Sequence, residues 1–261
     1  MGSYIISEFL KGLKSKSAKL YIMGIFALCI IANIAVVAFR SIYGNNEGTF
    51  AYNIMTYATW CFFIPYYTCI FISDIIFGQG YPLQKAEGDS LNSNAMLEKE
   101  LGPTRFYLVK LGASILLAFV FLAITLCAFI VITVLFHFSE GSIGASDIAD
   151  FFQKMVYAIP LWLAGIGISN MFLFLFESKL KAYLGYGILT ILIERGIMLL
   201  AAEPFKLEPF RTIRTFVITQ QFSLIPYPAD PARNIPLTIF LGFFYFILSS
   251  CIGIIIYKRN C

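Results

Sequence analysis

Apolar runs long enough to cross a bilayer recur along this chain, and they settle its fold class before any motif is weighed. Hydrocarbon about 30 Å thick requires about 20 apolar residues per helical span. Stretches at 21–39, 50–72, 111–136, 155–176, 182–202 and 235–257 meet that length. With 59% hydrophobic and 13% charged residues and a mean hydropathy of +0.80, the chain cannot hide this surface in one aqueous core. In lipid every backbone polar group must be satisfied within its own segment, which favours helices. The reading is an all-α polytopic membrane protein of six transmembrane helices, forming a single transmembrane domain over 1–261.

The segments between the runs have their own patterns. Over 3–20, Ile6, Phe9, Leu10, Leu13 and Leu20 fall in one arc of a helical wheel, and Glu8, Lys11, Lys14 and Lys19 take the rest. That spacing predicts an amphipathic interfacial helix before the first span, its lysines suited to an anionic leaflet and Lys16 placed to snorkel. Over 203–234, Phe210, Ile213, Phe216 and Val217 recur at helical spacing beside Arg211 and Arg214, and Pro204, Pro209, Pro226, Pro228 and Pro231 break the ends. This predicts one or two short helices in or dipping into the outer interface, with a flexible external loop as the alternative. Segment 73–110 is the largest uninterrupted polar stretch and is where a partner is expected.

An even number of spans places both termini on one side, and the Lys/Arg tally says which. Lys11, Lys14, Lys16, Lys19, Lys85, Lys99, Arg105, Lys110, Lys179, Lys181, Lys258 and Arg259 lie on the side of the termini, against Arg40, Lys154, Lys206, Arg211, Arg214 and Arg233 opposite, twelve to six. The expectation is a multi-pass protein of the plasma (inner) membrane with both termini, 73–110 and the link near Lys179 in the cytoplasm. The net charge of +4 is small and spread between spans, so nucleic acid is not an expected partner.

Chemistry inside the spans is sparse. No glycine-rich loop precedes a Gly-Lys-Ser/Thr triplet, so ATP is not bound here by that motif. His137 is the single histidine, and Cys29, Cys61, Cys69, Cys127, Cys251 and Cys261 lack paired spacing, so the cysteines read as small hydrophobes and no metal site is expected. Ser114, Ser169, Ser249 and Ser250 have no histidine or lysine placed to activate them, and no catalytic residue is assigned. Pro160 is tolerable within a lipid-embedded span, and Gly165 with Ser169 offers a small face for close packing. Glu194 and Arg195 are the one ionisable pair within an apolar run. Neighbours on a helix point about 100° apart, so each is expected to find its partner elsewhere. They are either a gate or substrate-pathway element, or an internal structural pair.

The layout resembles a family, the membrane subunit of ABC-2 type transporters: six spans, an amphipathic helix before the first, a helical outer segment before the last and a basic tail, Lys258 and Arg259. The resemblance is more specific between spans two and three. There Asp74 closes the second span and the run from Leu97 to Leu111 leads into the third, with Gly102, Arg105 and Lys110 at the positions of a Gly-x-x-Arg-x-x-x-x-x-Lys-like pattern. Stretch 78–93 is longer than the family's usual link. The resemblance implies a separate ATPase subunit, holding ATP and Mg, docked beneath the coupling segment 73–110, with Asn92–Tyr107 as the mechanical link and a short coupling helix within it. Asn92–Leu101 has helix-forming composition, so Leu97 and Leu101, four apart, would share a face inserted into a groove of the ATPase, Glu98 and Glu100 would meet a basic rim, and Arg105 would anchor the helix exit. It further implies a second permease half, identical or related, and an amphipathic or hydrophobic cargo such as a peptide, antibiotic or lipid moved outward by a chain that is itself non-catalytic and cofactor-free. The rival is a secondary transporter or channel without an ATPase, whose signs are weak because Glu194 stands nearly alone as an intramembrane ion ligand.

Overall fold

The structure is a computed structural model that describes residues 1–43, 59, 62–77, 93–137, 145–176, 178–202, 205–227 and 233–260. Among these residues every regular element is helical: α1 (Gly2–Lys14), α2 (Lys16–Tyr43), α3 (Phe63–Phe77), α4 (Ser93–Leu101), α5 (Pro103–His137), α6 (Ala145–Leu175), α7 (Lys179–Ala201), α8 (Glu208–Arg214), α9 (Ile218–Leu224) and α10 (Ile235–Asn260). Helices α2, α5, α6, α7 and α10 are each long and apolar enough to cross a membrane, which makes the chain a multi-pass membrane protein. Helix α3 is apolar but shorter, and most of the earlier part of the predicted 50–72 run lies outside the described residues, as do 78–92 of the predicted coupling segment.

Several helices run past the ends expected from hydropathy. Helix α3 continues to Phe77 rather than stopping at Ile72, α5 starts at Pro103 rather than Leu111, and α6 starts at Ala145 rather than Met155. The extra turns contain Ser73, Lys110 and Lys154, all buried. A hydropathy window reads such residues as loop because it weighs polarity and cannot see that the side chain faces protein.

Helix α6 is the hub. In its apolar window 72% of residues are buried, against 22% in those of α2 and α7 and 28% in that of α10. The outer helices therefore present large apolar side chains such as Met23, Ile31, Leu192, Phe240 and Ile247 to their surroundings, as lipid requires. Helix α10 makes its most extensive contact with α6, and glycines allow the approach. A Cβ on Gly242 would lie 2.5 Å from the carbonyl carbon of Pro160, and one on Gly167 2.5 Å from Ser249 Oγ. Helix α6 passes through Pro160 unbroken. Its small face at Gly165 and Ser169 takes α3: Gly165 sits against the Tyr66 ring, and Ser169 Oγ is 2.6 Å from Ser73 Oγ. Asn170 extends this polar row by donating to Ser73 Oγ at 3.0 Å and accepting from Ser114 of α5 at 3.4 Å. Three helices are thus keyed together by hydroxyl and amide contacts where lipid offers none.

Candidate functional site

Helix α7 carries the site, and a local change of helix type aims it. Ala182, Tyr186, Thr190 and Glu194, spaced by four, are all buried. On an α-helix each four-residue step overshoots a full turn by about 40°, so such a row would wind off the buried face. The middle of α7, Ile188–Ile193, is a π-helix, and the Glu194 N–H bonds to the Leu189 carbonyl five residues back. The wider turn absorbs the excess, and Glu194 stays in line with Tyr186.

Glu194 is 7% exposed. Its Oε1 accepts from the Tyr66 hydroxyl of α3 at 2.7 Å, and its Oε2 accepts from the Thr219 backbone N–H of α9 at 3.0 Å. Tyr66 is held in turn: Tyr186 donates to the Tyr66 carbonyl at 2.6 Å, and the Phe222 ring packs against the Tyr66 ring at 5.4 Å. Arg195 turns the other way. It is exposed and donates through Nη2 to the Tyr67 hydroxyl at 2.8 Å, with its guanidinium 5.4 Å from the Phe63 ring centroid. Both residues therefore find partners on other elements, and both reach the same helix α3 through adjacent tyrosines. No cation lies within ion-pair distance of Glu194 among the described residues.

Beside Glu194 a cavity of about 290 Å³ opens between α6, α7, α8, α9 and α10. Its walls are almost wholly apolar, with Met171, Ile197, Val217 and Leu248 among them; Glu194 is the one charged residue on its lining, and Tyr245 and Ser249 add hydroxyls. The short helices α8 and α9, in the stretch where helical spacing was read, form one side of it. Arg211 is exposed and pairs with Glu208 at 2.5 Å, and Arg214 is half-buried; neither lines the cavity.

A second polar centre sits at the start of the chain. Glu8, also 7% exposed, is paired with the fully buried Lys110 of α5 and with Lys11 at 2.8 Å. Lys110 Nζ also donates to the Ile76 carbonyl at 3.3 Å, satisfying an acceptor in the last turn of α3. The helix α1 expected from the pattern is present, but its inward face is Ile5, Glu8, Phe9, Gly12 and Leu13, whereas Ile6 and Leu10 are exposed. Glu8, placed by the wheel on the polar side, belongs to the packed side. Burial raises the pKa of the Glu8 carboxyl, but the Lys110 charge and the hydrogen bonds from Lys11 and Lys110 outweigh it and hold the carboxyl below its ordinary value.

Helix α4 occupies the stretch where a coupling helix was expected. It ends at Gly102, whose φ of +72° and N–H bonded to the Glu98 carbonyl at 2.8 Å make a left-handed helix end, and Pro103 opens α5 at once. Leu97 packs against the chain's own apolar core and Leu101 is half-buried, so this face is already partly used. Glu98 is half-buried, whereas Lys99 and Arg105 are exposed. Glu100 accepts a hydrogen bond from the Tyr4 hydroxyl of α1. Asp74, in the last turn of α3, is bridged to α7 by Lys179 at 3.0 Å and Tyr183 at 2.8 Å.

Sequence reasoning singled out Glu194 and Arg195, noted Glu8 and Lys110 without pairing them, and missed Tyr66 and Thr219. Lys110 alone had a usable signal, as a cation about two turns inside what proves to be a helix. Among the described residues no cluster of His, Cys, Asp and Glu could hold a metal ion. No family model matches this chain, and no curated protein matches it.

Proposed function

We propose that the chain is the non-catalytic permease subunit of an ATP-driven ABC-2 type exporter, moving an amphipathic or hydrophobic substrate out of the cell or membrane. In this reading six spans cross the plasma (inner) membrane, counting the run that ends in α3, and both termini face the cytoplasm. A separate ATPase subunit holds ATP and Mg, and a second permease half, identical or related, completes the pathway.

The observation that supports it best is the α4–α5 joint. A short helix is joined to a long spanning helix through a single left-handed glycine, with no loop between them to take up slack. The joint is tied back to α1 by Tyr4 and Glu100, and α1 to α5 and α3 through Glu8 and Lys110. Force applied at α4 would reach three helices at once. Since Leu97 is turned toward the chain itself, the ATPase would meet the face bearing Lys99 and Arg105, with Leu97 and Leu101 bracing the helix from behind.

The test is purification of the tagged full chain from its native membrane with 8-azido-ATP photolabelling. A labelled partner subunit should co-purify, the chain itself should stay unlabelled, and Lys99→Glu with Arg105→Glu should reduce the recovered partner at least tenfold while leaving the helical signal unchanged. A chain that transports after reconstitution alone, without nucleotide, would instead select the secondary transporter or channel, a reading that Glu194 at membrane depth keeps in view.

A further inference from the structure

The cavity beside Glu194 has a composition that selects among ligands. Its walls come from five helices and are apolar, and the single charge on its lining is negative. Among the described residues no lysine, arginine or histidine lines it, and Arg195, next in sequence, is engaged with Tyr67 and Phe63 on another side. Tyr66 and both the backbone and the side chain of Thr219 donate to the Glu194 carboxylate, whose roughly four lone-pair sites keep acceptor capacity beside them. Ile193, Ile213, Phe216, Leu248 and Ile252 on the lining are exposed, so the mouth opens among exposed apolar side chains.

From this we infer that the cavity binds a lipophilic monocation, its apolar body against α6, α8 and α10 and its charge against the Glu194 carboxylate. An anion of the same shape would meet the carboxylate with no cation on the described lining and only the outward-turned Arg195 to offset it. A neutral molecule would fill the walls but seal the carboxylate away from water without a counter-charge, which is costly at that depth. A cation removes that cost on binding, so charge sign decides the affinity while the walls supply contact area. That such a cation is the exported cargo rests on the exporter reading above; that it binds does not.

The test uses the full chain in lipid nanodiscs, without any ATPase, and tritiated tetraphenylphosphonium as the probe in equilibrium dialysis. Saturable binding is expected, with no competition from tetraphenylborate, an anion of matching shape. Glu194→Gln should weaken binding at least tenfold, and Leu248→Trp, which fills the mouth from its exposed side, should abolish it. Equal affinity for both probe ions, or unchanged affinity in Glu194→Gln, overturns the inference. If Glu194→Gln does not fold, Leu248→Trp decides: lost binding supports the site, and wild-type binding overturns it. A phospholipid that co-purifies with the wild-type chain, is absent from Leu248→Trp and is not displaced by tetraphenylphosphonium also overturns it, in favour of a structural lipid. Because no ATPase is present, failure here leaves the photolabelling result standing, and failure of that experiment leaves this one standing.

Discussion

Glu8 and Glu194 are equally buried, and each ties its own helix to others, yet they are neutralised in different ways. Glu8 meets Lys110 and Lys11, so its charge is cancelled within the protein and its geometry is closed. Glu194 meets a tyrosine hydroxyl and a backbone N–H, which orient a carboxylate without cancelling it, and it borders an open cavity. Burial alone therefore does not separate a structural carboxylate from a binding one. What separates them is whether the counter-charge is built in or left to a ligand.

The comparison breaks most readily at Lys110. Lys110→Met leaves Glu8 buried with only the half-exposed Lys11 beside it, and loss of one member of a buried pair costs about 3–5 kcal/mol. A large fall in melting temperature of the detergent-solubilised chain is expected. Glu8→Leu combined with Lys110→Met should recover most of it, and a double variant as unstable as the single one would show that the pair is not what holds α1.

At Glu194 the stability loss should be of similar size and the binding loss larger. Glu194→Leu strands the Tyr66 hydroxyl and the Thr219 N–H, at about 1–3 kcal/mol for each buried group left unsatisfied. Tyr66→Phe removes one of those groups together with its need for a partner and should cost less than Glu194→Leu. If Tyr66→Phe proves the more damaging in thermal melts, Glu194 is a structural acceptor rather than an oriented charge.

Acid should distinguish the N-terminal centre more gently. The folded Glu8 carboxyl titrates below its ordinary value of 4.5, so the pair's contribution is fully present above about pH 4.5 and is lost as pH falls through the lower folded value. The effect should be smaller than that of Lys110→Met, because a protonated carboxyl still forms hydrogen bonds. A fluorophore on α1 should report its release in acid, and Glu8→Gln should flatten that pH profile. The smallest effect is expected at Gly102, where Ala at a φ of +72° costs about 1 kcal/mol. Gly102→Ala should leave cation binding intact and lower only ATPase-driven transport; a change in cation affinity would mean that the two centres are coupled.

Hydropathy and spacing determined much of this protein without coordinates. Apolar runs longer than any soluble core helix needs mark α2, α5, α6, α7 and α10, because only lipid makes such runs favourable. Helix-forming composition before Gly102 marked α4, proline-bounded periodicity marked α8 and α9, and four-residue spacing marked Gly165 and Ser169 as a packing face, because these signals are local. Charge in an apolar run marked Glu194 for the same reason. Only the tertiary structure decided what each charge meets. Lys110 lies 102 residues from Glu8 and Tyr66 lies 128 from Glu194, and no periodicity carries information over such distances. A hydrophobic wheel put Glu8 on the wet side because it counts polarity and cannot know that a lysine waits on α5. The π-turn that aims Glu194 was equally illegible, since Ile188–Ile193 is ordinary, largely apolar sequence with no glycine or proline to mark a wider turn.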